Sequence, residues 1–236
     1  DGRSDCAIFR PADGLWSIRG LTRFYLGGLD DRATAGDFDG DGTSEAAVFR
    51  DASGLWAVSG VTRLYLGQTG DIPSPADFDG DGTCEIAVFR DSIGLWAVAG
   101  RTQLAFGSGG DWPVPGDYGG DGTAEATVYR PASGLWAVRD FTRSYLGGSD
   151  DWPAAGDYDG EGARRIAVFR PCSGLWAVGG LTRVNFGNCL DWPRPADYDG
   201  DGTDEFGVFR GSEGFWSVRE LSRIYFGSTY DVPVTR

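Results

Sequence analysis

Lysine, histidine and methionine are absent from the 236 residues, so every fixed positive side chain is one of 21 arginines. No imidazole or side-chain amine is left for acid–base work. The arginines are outnumbered by 35 Asp and Glu, giving a formal net charge of −14 and a sequence pI of about 4.3. Nucleic acid and anionic membrane surfaces need a cationic face, so neither is an expected partner. No apolar run approaches the ~18 residues of a membrane helix, so no membrane insertion is expected. No signal peptide is visible, and the chain begins inside a repeat. It therefore reads as a mature form or an excised segment. Cysteine is sparse: Cys6, Cys84, Cys172 and Cys189 do not recur from repeat to repeat. That excludes a regularly spaced zinc site or disulfide framework.

What the chain does have is aspartate and glycine in a fixed frame. Asp77-Phe78-Asp79-Gly80-Asp81-Gly82-Thr83-Cys84-Glu85 packs four carboxylates into nine residues, with glycine where the backbone must bend. The frame recurs from Asp37, Asp117, Asp157 and Asp197, each 40 residues from its neighbour. Asp1-Gly2-Arg3-Ser4-Asp5 matches the second half of a sixth copy. The repeats run 1–40, 41–80, 81–120, 121–160, 161–200 and 201–236, and repeats that share a core form one structural unit. A single domain over 1–236 is expected.

Within repeat 81–120, Glu85 to Arg90 reads as a strand rich in β-branched and aromatic residues. Asp91-Ser92-Ile93-Gly94 is a hairpin loop, and Leu95 to Val98 is a second strand. A turn at Gly100 leads to a third, Thr102 to Phe106. Asp111 to Tyr118 then runs extended into the next acidic loop, as its prolines dictate. Ile86, Ala87, Val88 and Phe89 put apolar side chains on both faces, so both faces are covered. Four short strands per 40 residues, with two buried faces and no helix, make a β-propeller blade. The competing β-solenoid leaves open ends. Here the ends are complementary: Asp231 to Thr235 matches the strand leading into an acidic loop, and Asp5 to Arg10 the strand following it. Pairing them abolishes the free edges. The expected fold is all-β, a six-bladed propeller with one blade built from both termini.

Asp-Phe-Asp-Gly-Asp-Gly-Thr, then Glu two residues on and Ala-Val-Phe-Arg, resembles the FG-GAP/VCBS repeat. That repeat is similar to the one in the propellers of integrin α subunits and of some extracellular lectins. The resemblance covers essentially the whole chain. It implies that the acidic loop joins a blade's innermost strand to the next strand out and often holds Ca²⁺. Carried over, it makes 113–118 an innermost strand, 125–130 the second, 135–139 the third and 141–146 the outermost. The repeat is shorter than that of the integrins, so their ligand-binding loops do not transfer.

Close-set carboxylates suit a hard, oxygen-seeking cation, above all Ca²⁺. Loop positions 1, 3, 5 and 9 would supply carboxylates and position 7 a backbone carbonyl. The complete sets are Asp37, Asp39, Asp41, Thr43 and Glu45; Asp77, Asp79, Asp81, Thr83 and Glu85; and Asp197, Asp199, Asp201, Thr203 and Glu205. Asp117, Asp121, Thr123 and Glu125 form a weaker set, because Gly119 replaces the position 3 acid. In the 157–165 loop, Arg165 puts a cation where a ligand belongs, and no Ca²⁺ is expected. The closing loop has only Asp1, Arg3 and Asp5. Three to four calcium sites are thus expected, with a structural role, since a catalytic ion should be a one-off with an open position. The alternative is a set of Asp/Gly turns without metal. Loops of this kind need extracellular, millimolar calcium, which places the protein outside the cell.

Comparison of the six copies separates framework from decoration. Trp16, Trp56, Trp96, Trp136, Trp176 and Trp216 recur at one position and read as blade packing. Arg10, Arg50, Arg90, Arg130, Arg170 and Arg210 face Asp231, Asp31, Asp71, Asp111, Asp151 and Asp191, one bridge per blade. Trp112, Trp152 and Trp192 have Arg32, Ile72 and Val232 as counterparts, so the fold does not demand Trp there. They lie on the face opposite the acidic loops. An exposed Trp beside Asp and Arg suits a pyranose, although such rings can also simply cover a blade end. Tyr25, Tyr65, Tyr145 and Tyr225 belong to outermost strands. Cys172 and Cys189 lie in neighbouring loops of one blade and can meet; Cys6 and Cys84 are expected to be free.

The expected function is a multivalent, lectin-like glycan-binding module. The alternative is a structural or adhesive module that binds a cell-surface protein. An enzyme is not expected: a catalytic constellation should break the repeat with unique residues converging on one pocket, and the one-off acids Asp140, Asp204, Glu213 and Glu220 are scattered.

Overall fold

The computed structural model describes residues 2–101 and 103–235. Asp1 of the closing loop and Thr102 of one outer strand lie outside the described residues. Among the described residues the chain forms six four-stranded antiparallel sheets, five of them with strands in the order innermost to outermost along the sequence. A single short helical turn, Asp91–Ile93, interrupts the all-β pattern. In blade four the strands are Trp112–Pro113, Thr127–Arg130, Leu135–Val138 and Thr142–Tyr145. Blade one is the closing blade: Val232–Val234 pairs antiparallel with Ala7–Arg10, with Ile8 opposite Pro233. Among the described residues no helix is long and apolar enough to cross a membrane.

The innermost strands are shorter than the expected 113–118. In blades three to six their hydrogen-bonded part is two or three residues, followed by one isolated bridge such as Gly116 to Glu125. The pairing itself continues past the regular part: the Val114 amide donates to Thr127 O and the Gly116 amide to Glu125 O. Pro113 and Pro115 alternate with these residues, so they occupy positions whose amides face away from the second strand, where proline costs the ladder no bond. Blade two has Ala33 and Ala35 at those positions, and there the ladder runs unbroken from Asp31–Gly36 against Glu45–Arg50.

The third strand shows why the blades stack. In Leu95–Val98, Trp96 and Ala97 point to opposite faces of the sheet. Trp96 pairs across the sheet with Phe89, ring centroids 5.0 Å apart. Together they pack on Val128 and Ala137 of the next blade. Each blade thus offers two large rings on one face and small residues on the other. The same arrangement links blade two to three through Phe49, Trp56, Val88 and Ala97. It also links blade six to one, where Phe209 and Trp216 pack on Cys6 and Ile8. That last contact closes the ring. All six framework tryptophans are fully buried, and each indole donates to a carbonyl ten residues on, as Trp96 Nε1 does to Phe106 O at 2.9 Å. Each such ring buries ~200 Å², at most about 5 kcal/mol of apolar transfer.

The loop between second and third strands requires its last residue to be glycine. Gly94 has φ +64, and a Cβ there would lie 2.3 Å from the carbonyl oxygen of Gly107. Both the left-handed backbone and the close approach exclude a side chain. Cys172, in the same loop of blade five, itself takes φ +66, and it is disulfide-bonded to Cys189.

Candidate functional sites

The acidic loops stand together at one end of the ring. Position 1 anchors each loop from within. Asp77 accepts the Gly80 amide on Oδ1 at 2.6 Å and the Gly82 amide on Oδ2 at 2.9 Å. Asp37, Asp117, Asp157 and Asp197 do the same in their loops. The position 7 amides of Thr43, Thr83, Thr123 and Thr203 donate to the position 5 aspartates. Neighbouring loops are also joined. The Cys84 amide donates to Asp37 O, Ala124 to Asp77 O, Arg164 to Asp117 O, Asp204 to Asp157 O and Ser4 to Asp197 O. The loops therefore form a collar that runs from blade to blade.

Carboxylate oxygens of Asp77, Asp79, Asp81 and Glu85 lie within 4.8 Å of one another. So do those of Asp37, Asp39 and Asp41; of Asp117, Asp121 and Glu125; and of Asp197, Asp199 and Glu205. Two expected ligands stand outside these groups. Glu45 Oε2 is held by the Phe38 amide at 2.8 Å, and Asp201 Oδ1 by the Thr203 amide at 2.8 Å. Burial raises the pKa of Glu45, Glu85 and Glu205, and nearby aspartates add to the rise, while a backbone amide opposes it. All-oxygen donor sets of this density fit a hard divalent cation. In the 157–165 loop the cation is covalently attached: Arg165 Nη2 meets Asp159 Oδ2 at 2.5 Å and its Nε meets the same oxygen at 2.8 Å. The guanidinium holds the Asp159 carboxyl below the usual carboxylate range.

At the opposite end, Trp112 and Trp192 are 40% and 37% exposed, and Trp152 is half-buried. The Trp112 ring stands edge-on to Tyr129, and the Arg194 guanidinium lies 5.9 Å from the centre of the Trp192 ring. Beside each is a buried aspartate clamped by arginine: Asp111 with Arg130, Asp151 with Arg170, Asp191 with Arg210. Tyr25, Tyr65, Tyr145 and Tyr225 are largely exposed on the outermost strands.

Sequence reasoning missed the concavities. A groove of about 820 Å³ lies between blades three and four on the acidic-loop end, lined by Phe78, Trp96, Arg101, Gly119, Glu125 and Phe141 among others. A second, of about 550 Å³, lies between blades one and two, lined in part by Trp16, Leu21 and Thr43. Neither touches Trp112, Trp152 or Trp192. Such grooves form where two blades diverge, and nothing in a single repeat marks them. The turns between third and fourth strands edge this same end with exposed apolar side chains: Leu21, Val61, Phe141, Leu181 and Leu221.

Fold and repeat together define a six-bladed β-propeller. No family model matches the chain, and no curated protein does. Among solved structures it is similar to a lectin of Agrocybe aegerita that recognises non-reducing terminal N-acetylglucosamine, with a TM-score of 0.55 at 14% identity. The similarity covers 100% of this chain and 77% of the lectin.

Proposed function

We propose that this chain is a calcium-stabilised extracellular recognition module of the FG-GAP/VCBS type that binds carbohydrate at several equivalent places and carries out no catalysis. The observation that carries this reading is the exposure of Trp112 and Trp192 at positions where the fold accepts Arg32, Ile72 or Val232. An indole face left in water has an energetic cost, and it suits the apolar face of a pyranose. The neighbouring Asp–Arg clamps offer polar groups for hydroxyls. Repetition around the ring favours avidity, since weak sites add when they are geometrically linked. A lectin of the same architecture is consistent with this reading.

Calcium in the loops would tie each innermost strand to the next strand out and cancel part of the −14 charge. Asp77, Asp79, Asp81 and Glu85 would hold one ion, and the groups at Asp37, Asp197 and Asp117 the others. The ion would supply charge neutralisation there.

A glycan array in millimolar calcium, repeated with EGTA, tests the reading, with terminal N-acetylglucosamine among the first probes. A coherent set of bound sugars supports it, and the EGTA arm reports whether calcium supports the site. A blank array from folded protein supports the second reading, a protein-binding module. The exposed apolar residues Leu21, Val61, Phe141, Leu181 and Leu221, one in each of five blades at the acidic-loop end, are the observation that favours that alternative.

A further inference from the structure

Five of the six turns between third and fourth strands place an exposed apolar residue after their glycine or its equivalent: Leu21, Val61, Phe141, Leu181 and Leu221. The sixth places Arg101. Its Nη2 lies 2.5 Å from Oδ2 of Asp79, position 3 of the acidic loop in the same blade. That loop is where four carboxylates converge within 4.8 Å, whereas the other clusters gather three. The position 3 aspartate of the 157–165 loop is also held by a guanidinium, from Arg165. Two arginines from different elements thus reach the same position in two copies of the repeat. The turns serving Asp39 and Asp199 carry Val61 and Leu221, which cannot pair.

We propose that Arg101 is a tethered counter-cation of the 77–85 loop. It relieves repulsion among Asp77, Asp79, Asp81 and Glu85 when no metal is bound, and a divalent cation entering the loop must displace it from Asp79. The second part rests on the reading of the loops as calcium sites. Arg165 and Arg101 then represent two grades of one device. Arg165 replaces a ligand and pairs within its own loop. Arg101 leaves all ligands in place and approaches from outside, with both partners partly exposed. The consequence is a 77–85 loop that tolerates metal loss better than 37–45 and binds metal less tightly than its ligand count implies. A unit positive charge ~5 Å from a divalent ion in a water-like medium weakens binding by about tenfold, less at high salt.

The test compares Arg101→Leu, which restores the residue type of the other turns, with the wild type. Arg143→Leu on the exposed outer strand controls for the loss of one positive charge. In EGTA at low salt, Arg101→Leu should melt below both others, and the gap should close in 1 M NaCl. By calorimetric titration with calcium, one site of Arg101→Leu should tighten by about tenfold while the rest are unchanged. If Arg101→Leu melts with Arg143→Leu in EGTA, the counter-cation role is overturned. If it melts lower but no site tightens in a protein that binds calcium, displacement by metal is overturned. If no variant binds calcium, the calcium reading fails, and the EGTA melts alone decide whether Arg101 neutralises the loop.

Discussion

Arg130 closes on Asp111 through two parallel hydrogen bonds, Nε to Oδ1 at 2.7 Å and Nη2 to Oδ2 at 2.9 Å. The carboxylate is buried, and the guanidinium reaches solvent at its edge. Oδ2 also accepts the Ser108 amide at 2.8 Å, so one aspartate fixes the strand end and the loop that precedes it. Every blade repeats this clamp. Asp111→Asn keeps the shape and removes the charge, leaving the guanidinium without its counterion. It should cost about 3 kcal/mol, a fall in Tm of roughly 6–12 °C for a chain of this size. Thermal unfolding measures it; an unchanged Tm would mean that the clamps do not bear on stability.

Trp112 and Trp136 lie in one blade and should respond oppositely. Trp112→Ala should lower glycan affinity by at least tenfold with Tm unchanged within ~1 °C, as for a surface substitution. Trp136→Ala empties a buried site and should cost about 3–5 kcal/mol. Binding curves and melts of both variants, measured side by side, separate ligand contact from packing. Undiminished binding by Trp112→Ala would remove that ring from the site.

Arg165→Glu would complete the acidic frame of the fifth loop. Without metal the variant should melt below the wild type, because a tethered cation becomes a fourth carboxylate beside Asp157, Asp159 and Glu161. With calcium a hundredfold above the new site's Kd, it should recover about 2.7 kcal/mol, or roughly 5–10 °C. A variant whose melt ignores calcium would argue against metal in this frame.

Cys6 sits in the contact that closes the ring, and burial pushes its thiol up to about 11, with Arg19 pulling it partly back. Below about pH 9 the folded and unfolded chains both keep the proton. Between 9 and 11 only the unfolded chain releases it, so stability contributed by this buried thiol is lost as pH rises through that window. Iodoacetamide at pH 8 should therefore leave Cys6 unmodified in native protein and modify it after unfolding. Mass mapping reads the result, and alkylation of Cys6 in the native state would mean that blades six and one part readily.

The six blades and their closure were legible because the repeat spacing is constant and the two terminal segments are complementary. The Arg–Asp clamps were legible for the same reason: a charged pair that recurs six times at one separation marks a contact the fold requires. The innermost strands hold a regular ladder over less of their length than the expected 113–118, with pairing resumed at the bridge from Gly116 to Glu125 just before the acidic loop. Glu45 and Asp201 fall outside their clusters although they accept the same backbone amides as Glu85 and Asp81, which lie inside theirs, so the difference is one of side-chain placement that a linear frame does not carry. The role of Arg101 was not legible, because it depends on a turn and a loop, far apart along the repeat, standing side by side at one end of a blade. The grooves between blades have no counterpart in any one repeat.

The pairing of Ala7–Arg10 with Val232–Val234 has a kinetic consequence. The other five blades each draw their strands from a single stretch of about one repeat, so each can assemble at small loop-closure cost. The closing blade alone must wait for the two ends of the chain to find each other, and long-range pairing of this kind is slow. Until then Phe209 and Trp216 lack the Ile8 surface they pack against, and both strands present bare edges. The ring behaves as a clasp. Its rate of closing should dominate refolding, and its opening should be the first step towards both unfolding and exchange of end strands between molecules.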